Sequence, residues 1–114
     1  MVTFSQGDII IMDFNPQAGH EQSGRRPALV VSNDILNKHS SMIMVCPITN
    51  TNKSHPFHVP LDGRTNTTGV VLCDQAKMLD ATTRHAVFKE HSPTDIWEEA
   101  CEIIREFIQH TQTL

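Results

Sequence analysis

The segment GDIIIMDFNPQAGHEQSGRRPALVVS, from Gly7 to Ser32, places two apolar runs on either side of a polar loop. The first run, DIIIMDF, is rich in β-branched residues and is closed by Asn15 and Pro16. The second run, PALVVS, opens with Pro27, which suits the first residue of a strand. The runs predict two strands. A loop of about a dozen residues between them indicates a functional segment, because idle loops of that length are uncommon.

Further segments have strand character as well. MIMVCPIT, from Met42 to Thr49, predicts a third strand, with Pro47 marking an edge or a bulge near its end. Asn33 and Asp34 are candidate caps for a helical turn or two before it. The remaining predicted strands are Phe57 to Leu61, Gly69 to Asp74 and a short possible one at Ala86 to Lys89.

The C-terminal segment has a helical pattern. Ser92 is predicted to cap the helix, with Pro93 in its first turn and Asp95 three residues after the cap. Apolar side chains recur at helical spacing: Ile96, Ala100, Ile103, Ile104, Phe107 and Ile108. The opposite face is charged and is predicted to be solvated: Glu98, Glu99, Glu102, Arg105 and Glu106.

Short antiparallel strands joined by Gly, Pro and Asn turns and closed by one helix predict a mainly β fold, a small, partly open barrel with the helix packed on it. The length of 114 residues, without a linker or repeat, predicts one domain over residues 1–114. No apolar run approaches the roughly 18 residues of a membrane helix, and no basic leader is present, so we expect a cytoplasmic protein with no membrane partner. Three cysteines without CxxC spacing are expected to be buried, reduced thiols.

The formal net charge of −4 argues at first against a nucleic-acid partner. The charge is uneven, however. Through Lys89 the chain carries eight Lys and Arg and seven Asp and Glu, whereas the remainder carries six acidic residues and Arg105. The acidity is therefore mostly C-terminal.

Metal and hydrolase motifs are not found. His55 and His58 are close in sequence, but in an extended segment we expect them to point to opposite faces, and neither Cys nor a carboxylate pair joins them. No GxSxG elbow, phosphate-binding glycine loop or HExxH motif occurs. We expect neither a metal nor a cofactor.

Polar residues at the ends of the apolar strands are the candidates for chemistry. Arg26 precedes Pro27, and its planar guanidinium suits a phosphate. Thr49 ends one predicted strand, and Asp74 and Gln75 end another. The structural alternative is that Arg26 pairs with Glu21 or Asp74, that Thr49 caps a turn and that Asp74 bonds local amides.

Three segments together, the Gly7 to Ser32 stretch, VCPIT and GRTNTTGVVLCDQAKMLD, resemble the MazF/PemK/Kid family of toxin endoribonucleases in order and spacing. The resemblance extends from about Gly7 into the C-terminal helix. It implies an SH3-like barrel, a homodimer and ribosome-independent cleavage of single-stranded RNA at a short sequence. It also implies a cognate MazE/PemI-like antitoxin whose C-terminal segment occupies the RNA groove.

The resemblance also implies site residues. In MazF-like members the arginine before the proline and the threonine ending the third strand are the catalytic pair, at Arg26 and Thr49. Kid-like members implicate the loop histidine and the aspartate of the CDQ motif, at His20 and Asp74. They also use an arginine where this chain has Leu72, a departure that shifts weight to Arg26.

Metal-free RNA cleavage by a neighbouring 2′-hydroxyl needs proton transfer and stabilisation of the phosphorane, and it leaves 2′,3′-cyclic phosphate and 5′-hydroxyl ends. An arginine with a pKa above about 12 is a poor base but a good fixed clamp, so Arg26 is assigned to transition-state charge. Thr49 is assigned as a hydrogen-bond donor. His20 or Asp74 is the better proton carrier.

The remaining polar residues fit RNA binding. Glu21, Gln22 and Gln75 are predicted to read base edges, and Arg25 and Lys53 to contact phosphates. The same cationic groove would attract an acidic antitoxin tail. The aromatic side chains are expected in the core: Phe14, Phe57 and Trp97.

Two other functions fit the same barrel. One is a toxin that binds and poisons DNA gyrase without cleaving anything, and the other is a member that only binds RNA or antitoxin. A gyrase binder has no reason to set Arg26 and Thr49 at strand ends that face one groove.

Overall fold

Antiparallel strands dominate the computed structural model, which describes residues 3–15, 24–51 and 55–110. The strands are β1 (Asp8–Asp13), β2 (Arg25–Val30), β3 (Met42–Thr49), β4 (His58–Pro60), β5 (Val70–Leu72), β6 (Lys77–Asp80) and β7 (Val87–His91). They pair in the order β4-β5-β3-β2-β1-β7, and β6 pairs with β3. The helices are α1 (Asp34–His39), a 3-10 helix (Cys73–Gln75) and α2 (Thr94–Ile108).

Each face of the sheet carries its own apolar cluster, because successive strand residues alternate between the two faces. We call the face under α2 the helix face and the opposite one the far face. The helix-face cluster includes Ile9, Leu29, Cys46, Ile48 and Val71 with Ile96, Ala100 and Ile104 of α2. The far-face cluster includes Ile10, Met12, Ala28, Val30, Ile43 and Val45 with Phe4 and Phe14. Burial on both faces explains the continuous apolar runs of β1 and β2.

Strand β3 lies at the centre of the sheet. It pairs with β2 along one side, and with β6 and then β5 along the other. Of the two features predicted at Pro47, an edge or a bulge, the edge was therefore wrong. Pro47 lies between Val45, the last residue paired with β6, and Ile48, the first paired with β5, so its missing N–H falls where the partner strand changes.

The C-terminal helix was predicted correctly, but its start was not. Pro93 occupies the N-cap position of α2 without a side-chain cap, because the Ser92 hydroxyl donates instead to the Gly7 carbonyl at 2.7 Å. The apolar face is also shorter than predicted, since Phe107 and Ile108 are exposed. Asn33 does cap α1 by accepting from an N–H of its first turn. No helix in residues 3–15, 24–51 or 55–110 is long and apolar enough to cross a membrane.

The three cysteines are free and buried, which confirms the prediction of reduced interior thiols. A hydrogen bond with Cys73 and burial raise the pKa of Cys46 well above its usual range, and burial raises the pKa of Cys101. Cys46 and Cys101 are therefore poor nucleophiles at neutral pH.

The prediction of a mainly β fold with a C-terminal helix is confirmed. In the described parts of the chain the strand pairings form an open path from β4 to β7 and do not close on themselves, consistent with a partly open barrel. Strand β6 was missed, and β5 is shorter than predicted because Cys73 and Asp74 already belong to the 3-10 helix.

Candidate active site

The first residues of β2 and the last of β3 bring Arg26 and Thr49 to the same place. The β2–β3 pairing extends to Ala28 opposite Pro47, with Arg26 two residues before Ala28 and Thr49 two residues after Pro47. Residues two apart in a strand project from the same face. Both side chains therefore start from the far face, where Arg26 also neighbours the buried Met12 of β1.

Thr49 is held closely by its surroundings. It is 9% exposed, and its Oγ1 accepts a hydrogen bond from the Thr51 N–H at 3.2 Å, which is the turn cap named above as the structural alternative. An accepted bond leaves the hydroxyl proton to be donated elsewhere. Gly69 lies against the Thr49 carbonyl: a Cβ added there would be 2.2 Å from that oxygen, and the φ of +114° favours glycine. Thr68 Oγ1 donates to Asn50 Oδ1 at 2.8 Å beside it.

The loop that carries Gly69 is fixed by a carboxylate from β7. Glu90 accepts three hydrogen bonds: from the N–H of Asn66 at 3.0 Å, and from the N–H and hydroxyl of Thr67 at 2.8 and 2.7 Å. Burial alone would raise the pKa of Glu90, but these hydrogen bonds outweigh it and lower the pKa below 4.5. Glu90 thus fixes the TNTTG turn (Thr65 to Gly69), and Gly69 at the end of this turn packs closely against the Thr49 backbone.

A cavity of about 290 Å³ opens beside Thr49. Thr49, Asn50, Pro60, Leu61, Gly69 and Val70 line it. Apart from Thr49, sequence reasoning missed these residues. The TTG stretch before an apolar strand was the signal that could have found them, because a glycine at that position often allows close backbone approach.

Arg25 and Arg26 face opposite sides of the sheet because they are consecutive in a strand. Arg25 NH1 lies 3.1 Å from Asp13 Oδ1 on β1, and His85 Nδ1 lies 2.9 Å from the other oxygen of that carboxylate. Hydrogen bonds from His85 and then Arg25 lower the pKa of Asp13. The structure does not bring Arg25 to the face of Arg26 and Thr49.

Asp74 lies away from that pair and contacts a histidine. His58 Nε2 on β4 is 3.4 Å from Asp74 Oδ1 in the 3-10 helix. From the paired registers and a strand spacing near 4.8 Å, His58 lies roughly 12 Å from Thr49 between Cα atoms. Gln75 follows Asp74 in the same 3-10 helix.

The expected divergence of His55 and His58 was wrong. Their ring centroids lie 4.8 Å apart, because His55 belongs to a turn in which its carbonyl accepts from the His58 N–H at 3.0 Å. Phe57, expected in the core, is 41% exposed, whereas Phe14 is buried as predicted. Trp97 is partly buried and packs on the helix-face cluster.

Four predicted site residues lie outside the described residues: His20, Glu21, Gln22 and Lys53. The flanks of residues 16–23 are fixed near Arg26, since Phe14 N donates to the Gly24 carbonyl at 2.9 Å and Gly24 N donates to Asn15 Oδ1 at 3.1 Å. Among the described residues, no group of three or more His, Cys, Asp or Glu is placed to hold a metal ion.

Comparison with known proteins identifies the family of the chain. A sequence model of the PemK-like, MazF-like toxins of type II toxin–antitoxin systems matches residues 5–108. The chain belongs to this family. The endoribonuclease toxin MazF of Escherichia coli (strain K12) is 41% identical over 83 residues, which cover 73% of this chain and 74% of that protein.

Solved structures of the family share the fold. MazF from Deinococcus radiodurans superposes with a TM-score of 0.89 at 35% identity, over 95% of this chain and 98% of that one. A MazE–MazF crystal structure from the same organism gives a TM-score of 0.82 at 28% identity, covering 97% and 100% of the two chains. The relatives are named as endoribonucleases, which does not favour the gyrase-binding alternative.

Proposed function

We propose that this chain is the toxin of a type II toxin–antitoxin module and cleaves single-stranded RNA without a metal ion. The observation that carries the proposal is the placement of Arg26 and Thr49 on one face, each two residues from the end of the β2–β3 pairing, beside a cavity on the far face. A planar cation and a hydroxyl on one face can bind the oxygens of one phosphate.

In the proposed mechanism the 2′-hydroxyl attacks the adjacent phosphorus, the P–O5′ bond breaks, and the ends are a 2′,3′-cyclic phosphate and a 5′-hydroxyl. Arg26 binds the phosphorane oxygens and neutralises their added charge. Thr49 donates its proton in a hydrogen bond to the same group. We assign removal of the 2′-hydroxyl proton and protonation of the leaving 5′-oxygen to His20 and Asp74. Gln75, beside Asp74 in the 3-10 helix, is assigned to base contacts.

The proposal includes the partners of the toxin. We propose a homodimer of single-domain chains that acts in the cytoplasm and is inhibited by a MazE/PemI-like antitoxin. An acidic, disordered antitoxin tail would compete with RNA for the groove around Arg26. The Deinococcus radiodurans relative, which is similar over the whole of both chains, was crystallised with its MazE.

Incubation of the purified chain with a long, unstructured RNA in EDTA tests the proposal. We expect discrete cuts with cyclic-phosphate and 5′-hydroxyl ends that are lost in Arg26→Ala. Arg105→Ala is the matched control, since Arg105 is exposed on α2 and pairs with Glu102. Intact RNA from a folded wild-type protein would contradict the proposal and make a gyrase-binding or binding-only toxin the next hypothesis.

A further inference from the structure

A cavity on the helix face, between α1 and α2, is separate from the one beside Thr49. Its volume is about 290 Å³. Met44 contributes to it and is five residues from Thr49 along β3, roughly 17 Å away and on the opposite face of the sheet. The proposed RNA cleavage therefore does not use it. We call it the helix-face cavity, and the residues that line it include Gln6, Val31, Leu36, Met44, Cys101 and Ile104.

Hydrogen bonds fix the walls of the helix-face cavity before any ligand arrives. Ser32 Oγ accepts from the Met44 N–H at 3.0 Å and donates to Asn37 Oδ1 at 2.5 Å. Asn33 Oδ1 accepts from the Leu36 N–H at 3.0 Å and caps the first turn of α1. The positions of β3 and α1 therefore set the shape of the cavity.

The lining of the helix-face cavity is mainly apolar and contains two sulfur atoms. Val31, Leu36 and Ile104 supply aliphatic surface, and Met44 and Cys101 supply the sulfur. Burial raises the pKa of the Cys101 thiol, so this group is a neutral contact and not a nucleophile. Polarizable sulfur makes favourable contacts with aromatic rings. A flat aromatic ring therefore matches this lining.

One polar atom at the cavity has hydrogen-bonding capacity that the fold does not use. Gln6 Nε2 donates to the Val31 carbonyl at 2.8 Å and lies 3.6 Å from Cys101 Sγ. Because a carbonyl only accepts, this bond identifies the nitrogen of the amide and leaves Oε1 as the other end. Within residues 3–15, 24–51 and 55–110, no group donates to that oxygen. It is an acceptor for an N–H or O–H group of a ligand.

The charged groups around the cavity already have partners. Arg105 NH1 lies 2.5 Å from Glu102 Oε1, and Asp34 Oδ1 accepts from the Gln6 N–H at 2.8 Å. An anionic ligand would meet the carboxylates of Glu102 and Asp34, and a cationic one would meet Arg105. A neutral ligand avoids both kinds of repulsion.

We propose that the helix-face cavity binds a small, neutral aromatic compound that carries one N–H or O–H donor. The ring lies among Val31, Leu36, Met44 and Ile104, and the donor bonds to Gln6 Oε1. Apolar cavities of about 150 Å³ already bind benzene, so about 290 Å³ is enough for a fused pair of rings. This ligand is independent of the RNA site on the far face.

An NMR titration of the ¹⁵N-labelled, folded chain with indole tests the proposal. 1-Methylindole is the matched compound, because it has the same rings but no N–H donor. We expect indole to cause saturable shifts of the backbone amides of Val31, Leu36 and Ile104. We expect 1-methylindole to bind about 3- to 10-fold more weakly, as for loss of one hydrogen bond.

Two variants separate the contacts that the proposal assigns. In Gln6→Met, which removes the acceptor, the two compounds should bind with equal affinity. In Leu36→Trp, whose larger side chain fills part of the cavity, neither compound should bind. Glu99→Gln, on the exposed face of α2, is the control that should leave both affinities unchanged. The melting temperature of each variant shows that it is folded.

Other results would overturn the proposal. These are the absence of saturable shifts up to the solubility limit of indole, shifts centred on the residues around Thr49, and full affinity in Leu36→Trp. Equal affinities of the two compounds for the wild type would also overturn it, because the donor would then have no partner. A difference that persists in Gln6→Met would come from the added methyl group and would contradict the contact with Gln6.

Discussion

Arg25 and Arg26 are adjacent in the chain but have different surroundings, because strand residues alternate between the two faces of a sheet. Arg25 pairs with Asp13, whose carboxylate also meets His85. Arg26 shares the far face with Thr49 across the β2–β3 pair. Of the two arginines, Arg26 is therefore available for the proposed chemistry, whereas Arg25 lies on the opposite face of the sheet beside Asp13.

Replacement of Arg25 should weaken RNA binding without slowing the chemical step. In Arg25→Ala we expect the slope of log affinity against log salt to fall by about 1, as for loss of one phosphate contact. The single-turnover rate at saturating enzyme should stay within about twofold, since this side chain does not face the site. Salt titrations of RNA binding measure the first quantity. An unchanged slope would remove Arg25 from the RNA-binding surface, with Arg105→Ala as the control.

Gly69 should be intolerant of a side chain. Its positive φ and the 2.2 Å distance between an added Cβ and the Thr49 carbonyl oxygen mean that Gly69→Ala must move β3 or the turn. We expect kcat to fall at least about tenfold and the free energy of unfolding by about 1–3 kcal/mol. Gly63→Ala is the matched control, because no heavy atom lies within 4 Å of its added Cβ. Full activity of Gly69→Ala would show that the position of Thr49 is not critical.

At the scale of elements, the site depends on a turn that is anchored by another strand. The TNTTG turn joins β4 to β5, and Glu90 of β7 fixes it through two N–H groups and a hydroxyl. One face of the turn meets this carboxylate, and Gly69 at its end meets Thr49. Loss of the hydrogen bonds from the turn to Glu90 should therefore shift the position of Thr49.

Glu90→Gln should lower both stability and kcat. Because the folded pKa of Glu90 lies below 4.5, the carboxylate stabilises the fold above that pH, and the contribution is lost as the pH falls through the folded pKa. We expect a loss of about 1–2 kcal/mol at pH 7 and a much smaller difference from the wild type at about pH 3. Denaturant unfolding at both pH values measures this, with Glu99→Gln as control. An equal loss at both pH values would contradict the assignment.

The sequence predicted elements with strong local patterns better than those that depend on tertiary partners. The bounds of β3 were correct because MIMVCPIT is a long apolar run. Strand β6, KMLD, is short and its strand pairing depends on β3, so its sequence carried too little signal. Ser92 has the sequence pattern of a helix cap, but its hydroxyl donates a hydrogen bond to the carbonyl of Gly7, which is distant in sequence.

The candidate site was predictable only in part. Arg26 and Thr49 came from their strand-end positions and from the family resemblance, whereas their placement on one face depends on the β2–β3 register, which no local pattern specifies. The exposure of Phe57 and the contact between His55 and His58 were missed, because a turn replaces the expected extended segment.

At the scale of the whole molecule, α2 covers one face of the sheet and leaves part of the other to a ligand. Arg26, Thr49 and the cavity beside Thr49 lie at one end of the far face, and His58 lies farther along it. Residues spread along one face of the sheet in this way suit an extended ligand such as a single strand of RNA or an unfolded peptide.

RNA and the antitoxin tail should therefore exclude each other. With Arg26→Ala, which is not expected to cut, the apparent Kd for a short labelled RNA should rise in proportion to the concentration of an acidic antitoxin peptide. Fluorescence anisotropy measures this change. An RNA affinity that is unaffected by saturating peptide would place the two ligands on different surfaces. A peptide of the same composition in scrambled order is the control.

A double-mutant cycle on Arg26 and Thr49 would show whether the two side chains act together on one phosphate. Single-turnover cleavage in EDTA would be measured for the wild type, Arg26→Ala, Thr49→Val and the double variant, each checked for its melting temperature. If the two side chains do act together, each single substitution should cost about 100- to 1,000-fold, and the double variant should be little worse than the poorer single one. Retention of near wild-type rates by either single variant, or losses that multiply fully, would contradict this joint role.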